Sequence, residues 1–372
     1  MIDKSIHERL LKIGIKVEYK TQGGFPEFYK AKQNQKVLLI CDKNTLKFAE
    51  QFKRDNMQIC LIDEYEPVPN ERNLNYVVNA GKGFDYVLAV GSGTLNDTAK
   101  YAGERLNIPS GVLCTAPSMD GYASPVSAVL LNGVKVSEIT KLPSDILIDS
   151  EILKTAPEFM IGAGVGDILG KYTCLTDWKL AHYYFGDPIH HESFELMEGA
   201  VDKCFANIQS FSAKNSNDVE TLTDALIIAG LAMAEAGDSR PASAGEHHIS
   251  HYLEMYFVKQ GLHVPLHGLK VGMGTMVCAY LYRALERDGV TFKNSDKVYE
   301  AAKYIPELSV IKQTLEKLDV PTKFSKLNIS KELFEETMLN AYTVRKRYSI
   351  LRLVHDLGLA EKYLPELVEQ FY

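Results

Sequence analysis

From Lys36 onward the chain alternates short β-rich runs with amphipathic helical stretches, and this alternation leaves few folds open to it. KVLLIC, MQICLID, DYVLAV and GVLCTAP read as strands, and NTLKFAEQFKRD, NLNYVVNAGK and LNDTAKYAGERLN between them read as helices. Strand, helix, strand in repetition predicts a parallel sheet with helices on its faces. The pattern then changes: PVSAVLLNGVKVSEI carries Asn132-Gly133 between two apolar arms, a strong hairpin signal, and DILIDS adds one more strand. From Ser150 strand signals almost vanish. FELMEGAVDKCFANIQSFSAK, TLTDALIIAGLAMAEAG and GMGTMVCAYLYRALERDG are long helical patterns. A chain of 372 residues exceeds what one core serves, so two domains are expected, residues 1–150 α/β and residues 151–372 all-helical.

The strand DYVLAV runs into Gly91-Ser-Gly93, with a helix starting directly behind. Glycine lets a backbone approach a phosphate closely, and the helix start offers free N–H groups and the positive dipole end. The third glycine of a dinucleotide fingerprint is missing, since Asn96 takes its place. Asp42, closing KVLLICD, suits either a ribose contact or a helix cap. The loop CTAPSMDGYASPVS presents Thr115, Ser118, Asp120 and Ser124 after a strand, which suits ligand contact, although turn chemistry alone also accounts for such residues.

Ser239 to Thr275 holds five of the ten histidines. His247 and His251 are four apart, so on a helix both rings leave one face. His267 follows a loop broken by Gly261 and Pro265 and opens a second helical pattern. Imidazoles suit Zn, Fe or Ni, and a catalytic ion needs about three protein ligands. Asp167, after Gly162, Gly164 and Gly166, is the candidate carboxylate; its competing reading is a cap near a helix start. Glu246 precedes His247, so this is not HExxH, and a metalloprotease is disfavoured.

The net charge of −7 has both signs interspersed and no basic run, which disfavours nucleic-acid or anionic-membrane partners. No apolar segment reaches the length of a membrane span, and MIDKSIHERLLKIGIK lacks a signal-peptide core, so a cytoplasmic protein is expected. The six cysteines are scattered singly and read as buried thiols.

Taken together, GSGTLND, TAPSMDGYASP, GVGDILGKYT, SAGEHHISH and HGLKVGMGT resemble the sn-glycerol-1-phosphate dehydrogenase family. That family lies in the superfamily of iron-dependent alcohol dehydrogenases, glycerol dehydrogenases and dehydroquinate synthase. The resemblance implies an N-terminal Rossmann-like dinucleotide-binding domain and a helical metal and substrate domain. It implies reversible reduction of dihydroxyacetone phosphate to sn-glycerol 1-phosphate with NADH or NADPH and one divalent metal, Zn, Ni or Fe, in a homodimer. Carried onto this chain, it makes Asp167, His247 and His267 the metal ligands. Asp42, Gly93, Thr94, Leu95, Asn96, Asp97, Thr115, Ala116, Pro117, Ser118 and Ser124 contact the dinucleotide; Asp120, Asp167 and His251 meet the substrate, with His251 and Asp167 catalytic. His248 adjoins His247 and competes with it as ligand, and Leu269 stands where many relatives have glutamate. Lys171 and Arg240 are candidate phosphate partners, and Asp42 and Asp63 favour NADH. The alternatives are a polyol dehydrogenase, dehydroquinate synthase and a non-catalytic homologue.

Overall fold

The computed structural model describes residues 1–206 and 210–372. They form two compact units, Met1–Pro157 with Ser212–Ala234, and Glu158–Phe211 with Glu235–Tyr372. The division is thus not a single cut at 150, because Ser212–Ala234 packs with the N-terminal residues.

The first unit runs α1 (Lys4–Lys12), β1 (Lys16–Tyr19), α2 (Pro26–Lys32), β2 (Val37–Asp42), α3 (Leu46–Phe52), β3 (Met57–Ile62), α4 (Glu71–Ala80), β4 (Tyr86–Gly91), α5 (Gly93–Leu106) and β5 (Ser110–Cys114). The hairpin β6 (Val126–Leu131) and β7 (Val134–Ile139) follows, then β8 (Asp145–Ile148) and the short α6 (Ser150–Leu153). Six strands make one sheet in the order β1-β8-β5-β4-β2-β3, parallel throughout. β2, β4, β5 and β8 are buried at every residue, which is why they read as continuous apolar runs. At the hairpin tip Asn132 and Gly133 both take positive φ, 52° and 70°, as the expected turn requires.

The sheet begins one strand earlier than the sequence pattern indicates. β1 is only Lys16-Val17-Glu18-Tyr19, and its two charges hide it. Glu18 is nevertheless buried, because its carboxylate accepts from the first free N–H groups of α2, Glu27 at 3.0 Å and Phe28 at 2.8 Å.

The second unit is helical, with no strand among its described residues. It comprises α7 (Glu158–Phe185), α8 (His191–Phe205), the last residues of α9 (Ser216–Ala236), α10 (Gly245–Lys259), α11 (His267–Arg287), α12 (Ser295–Ala302), α13 (Leu308–Lys317), α14 (Lys331–Asn340), α15 (Ile350–Asp356) and α16 (Ala360–Phe371). The helical pattern read over FELMEGAVDKCFANIQSFSAK is α8 as far as Phe205, and residues 207–209 of it lie outside the described residues. All six cysteines are free and buried. Among the described residues no helix is long and apolar enough to cross a membrane.

α7 and α11 meet through glycine. A Cβ at Gly268 would lie 1.8 Å from the Ala163 carbonyl oxygen, and one at Gly166 would lie 2.4 Å from that of Gly268. Only backbone fits there. Asp167 consequently sits well inside the 28-residue α7, not at a helix start, and its competing reading as a cap does not apply. Gly268→Ala is expected to destabilise the protein by at least about 3 kcal/mol in denaturant unfolding. Gly199→Ala, in α8 with nothing within 4 Å of the added methyl, should stabilise it by about 0.5–1 kcal/mol.

Candidate active site

In the first unit the candidate residues gather at the carboxyl ends of neighbouring strands β2, β4 and β5, where open parallel sheets bind ligands. Gly91 ends β4 and pairs in register with Cys114 of β5, so the Gly-Ser-Gly turn and the loop from Thr115 lie side by side. Thr115 N–H donates to the Gly91 carbonyl at 3.1 Å, and the Ser92 and Ser118 hydroxyls are 2.5 Å apart. A side chain at Gly91 would strike Leu95, which is itself buried. Thr115, Ala116, Ser118 and Ser124 are also buried. Thr94 and Pro117 belong to the same turn and loop, and Asp120 follows them.

Several of these residues are occupied in holding the loop. Asn96 Nδ2–H donates to the Gly121 carbonyl at 3.1 Å. Asp97 accepts from the Ala128 N–H at 3.1 Å and pairs with Lys100 at 3.0 Å. Asp42 accepts from the Thr45 N–H and hydroxyl at 2.8 and 2.9 Å, so its carboxylate caps the turn after β2. Burial raises its pKa. Asp63 is exposed and pairs with Lys43 at 3.1 Å.

Sequence reasoning missed Lys100. Its ammonium is buried, and besides Asp97 it donates to the carbonyls of Gly121 and Ser124 at 3.2 Å each and of Val126 at 2.5 Å. One cation therefore gathers three carbonyls and shapes the whole 121–126 loop. Its only sequence signal is the three-residue spacing from Asp97 on a helix.

In the second unit α7, α10 and α11 bring one oxygen and two imidazole nitrogens together. Ligand atoms of Asp167, His247 and His267 all lie within 4.8 Å of one another. His247 Nε2 is 3.6 Å from Asp167 Oδ1. Ligands on a tetrahedral ion with bonds of about 2.1 Å stand roughly 3.4 Å apart, so the donor set fits a divalent metal. His248 is buried, but among the described residues it belongs to no such group and neither of its ring nitrogens has a hydrogen-bond partner.

His247 is oriented by its own neighbour. Its Nδ1–H donates to Glu246 Oε1 at 2.8 Å, which leaves Nε2 with its lone pair toward Asp167. The same Glu246 oxygen accepts from the Ala244 N–H at 2.8 Å, while Oε2 accepts from the Thr173 hydroxyl at 2.9 Å. Burial, and then the charges of Lys171 and the other imidazoles, hold the His247 pKa well below the usual range, so the ring stays neutral. Lys171, fully buried, donates to Asp167 Oδ1 and the Ala242 carbonyl, each at 2.8 Å. Arg240 pairs with Asp187 at 3.6 Å and Asp238 at 3.4 Å.

His251 lies one turn beyond His247, with ring centroids 6.1 Å apart. Its Nδ1 is 3.3 Å from Glu254 Oε2, and His251, Glu254 and His267 form a second group that shares His267 with the first. Glu254 in turn lies 4.0 Å from the Lys270 ammonium. Leu269 is buried and offers no polar contact.

The description "Iron-containing alcohol dehydrogenase" belongs to the family that matches residues 16–157. Over 345 residues the chain is 31% identical to the glycerol-1-phosphate dehydrogenase (NAD(P)+) of Bacillus subtilis strain 168, covering 89% of this chain and 88% of that protein. The chain belongs to the glycerol-1-phosphate dehydrogenase family. A protein of the same name from Halalkalibacterium halodurans is 33% identical, with 89% of each chain covered. Among solved structures, sulfoacetaldehyde reductase from Bifidobacterium kashiwanohense superposes with a TM-score of 0.68 at 16% identity, over 95% of this chain and 97% of that one. This likeness speaks for the fold, and agrees with the parallel sheet followed by helices that the family resemblance implies.

Two outcomes follow from the geometry. Lys100→Met leaves Asp97 and three carbonyls without their cation; it should cost about 3–5 kcal/mol in urea unfolding, with faster hydrogen exchange in 119–128. Glu246→Gln retains an acceptor for His247 but removes the charge, and should weaken metal binding about 10–100-fold by titration calorimetry. Burial, and then Asp177, push the Glu246 carboxyl up to about 7. A folded-state pKa above the unfolded value of 4.5 means the native state binds more protons between them. The Glu246 carboxyl therefore contributes stability that is lost as pH rises from 4.5 to about 7, opposite in sign to the buried His247 and His248 imidazoles, whose lowered pKa values add stability over the same rise. The stability of metal-stripped wild type relative to metal-stripped Glu246→Gln should accordingly fall between pH 4.5 and about 7 in urea unfolding.

Proposed function

We propose that this protein catalyses the reversible reduction of dihydroxyacetone phosphate to sn-glycerol 1-phosphate, with NADH or NADPH as reductant and one divalent metal. The observation that carries the reading is the convergence of Asp167, His247 and His267 in a chain whose relatives at 31% and 33% identity are named for that activity. When bound, the metal supplies Lewis acidity toward the C2 carbonyl oxygen, and the nicotinamide supplies the hydride.

The residues of the chain do the rest. Asp167, His247 and His267 hold the ion, with Glu246 fixing the imidazole that faces Asp167. Hydride adds to C2, and the oxygen there takes one proton, which His251 delivers through water with Glu254 behind its ring. Asp120 and Asp167 contact substrate hydroxyls. The dinucleotide lies on the turn Gly93–Asp97 and the loop Thr115–Ser118 with Ser124, and Asp42 stands at the neighbouring strand end, where a carboxylate disfavours a 2′-phosphate. Gly93, small and followed by the free N–H groups of α5, suits the pyrophosphate. A homodimer in the cytoplasm using Zn, Ni or Fe completes the reading, supported by the family resemblance.

Protein stripped of metal and reloaded separately with Zn, Ni and Fe is expected to oxidise NADH on addition of dihydroxyacetone phosphate, the product being the 1-phosphate by chiral assay. His267→Ala should purify without metal and without turnover. The 3-phosphate as product, or full activity of His267→Ala without metal, overturns the assignment.

A further inference from the structure

The second unit carries a cationic cluster that the site described above does not use. Just before α10, Ser239 and Ser243 meet the segment that follows the 3-10 turn Ala341–Thr343. Arg347 donates to the Ser243 carbonyl, to Asp238 Oδ1 at 2.7 Å and to the Ser239 hydroxyl at 3.0 Å. Arg345 donates to the same Ser239 hydroxyl at 3.2 Å. Two guanidinium groups thus converge on one neutral oxygen, with like charges close together. Asp238 compensates Arg347, whose side chain is 14% exposed. Arg345 is exposed and makes no ion pair among the described residues.

Beside them, buried polar atoms lack partners. Among the described residues the Ser243 hydroxyl has none, and neither do the two ring nitrogens of His248, in a residue with no exposed surface. Natural proteins seldom leave such atoms unsatisfied, and a cation without an anion next to them points to a missing acceptor-rich ligand. Ser243 lies four positions before His247, and the charge of Arg345 bears on both His247 and His248. The cluster is therefore close to the proposed metal ligands. In dihydroxyacetone phosphate the phosphate ester is carried on the carbon next to C2, so its seat must also be close to them.

We propose that Arg345, Ser239 and Ser243 receive the phosphate of the substrate, with Arg347 as the positioning residue that holds both serines. This rests on the function proposed above and replaces Lys171 and Arg240 as phosphate partners. Lys171 is spent on Asp167 and the Ala242 carbonyl, and Arg240 on Asp187 and Asp238. Arginine suits the role, since its planar fork matches phosphate oxygens.

The test uses metal-loaded enzyme and two probes, inorganic phosphate and dihydroxyacetone phosphate. Arg345→Ala, at an exposed position, should weaken phosphate binding in calorimetry and raise KM for dihydroxyacetone phosphate roughly 10–100-fold, with bound metal unchanged. Selectivity for dihydroxyacetone phosphate over dihydroxyacetone, as a ratio of kcat/KM, should fall by a similar factor. Arg345→Lys should recover part of the loss, and Arg347→Lys should raise KM more than it lowers kcat. Unchanged phosphate affinity and KM in Arg345→Ala, or no phosphate binding to wild type, overturns the seat. Arg345-dependent phosphate binding by a wild type that turns over no dihydroxyacetone phosphate upholds the seat and refutes the proposed reaction.

Discussion

Everything in the helical unit depends on how closely α7 and α11 approach. Gly166 and Gly268 face carbonyl groups of the opposite helix at distances no side chain tolerates, and a Cβ at Gly272 would lie 3.0 Å from the Gly166 Cα. That contact sets the depth at which Asp167 lies and the point at which His267, first residue of α11, enters. α10 completes the arrangement, since a Cβ at Gly274 of α11 would lie 2.6 Å from the Glu246 carbonyl. The same small residues that bring the helices together also bring the donors to metal distance, so packing and chemistry are specified by one set of positions.

Buried charge is the second organising principle, and at three points it is answered by a specific partner. Lys100 answers Asp97 and three carbonyls in the sheet unit; Lys171 answers Asp167 among the helices; Glu246 is met by His247, Thr173 and a main-chain N–H. Such groups add little net stability, because desolvation offsets most of the attraction, but removing one partner is costly. What they contribute is direction: each fixes a loop or ring that an apolar residue would leave free to rotate.

The parallel sheet was legible because its central strands are buried on both faces and so consist of apolar runs, and the hairpin because Asn132-Gly133 admits few other conformations. β1 was not, since the burial of Glu18 depends on N–H groups of α2 that no local pattern announces. The histidine spacing showed which rings share a face of α10. It could not show that Glu246, a charged residue in a first helical turn, turns inward. Arg345 and Arg347 lie in a short charged stretch that reads as solvated surface, and only the fold sets them against Ser239. The cap reading that competed with Asp167 as a ligand assumed a position near a helix start; Asp167 lies well inside α7, where the neighbouring glycines mark a crossing.

Because the donor triad draws one residue from each of α7, α10 and α11, an ion held there is also a crosslink. It would bind the folded chain and not the unfolded one, where Asp167 and His267 are a hundred residues apart in sequence. By mass action, each tenfold rise in free ion above its dissociation constant adds about 1.4 kcal/mol to the folded state. The resistance of this protein to heat and proteolysis would then be a property of its surroundings as much as of its sequence. It would follow the local supply of the ion and decline when that supply is depleted, before any residue has changed.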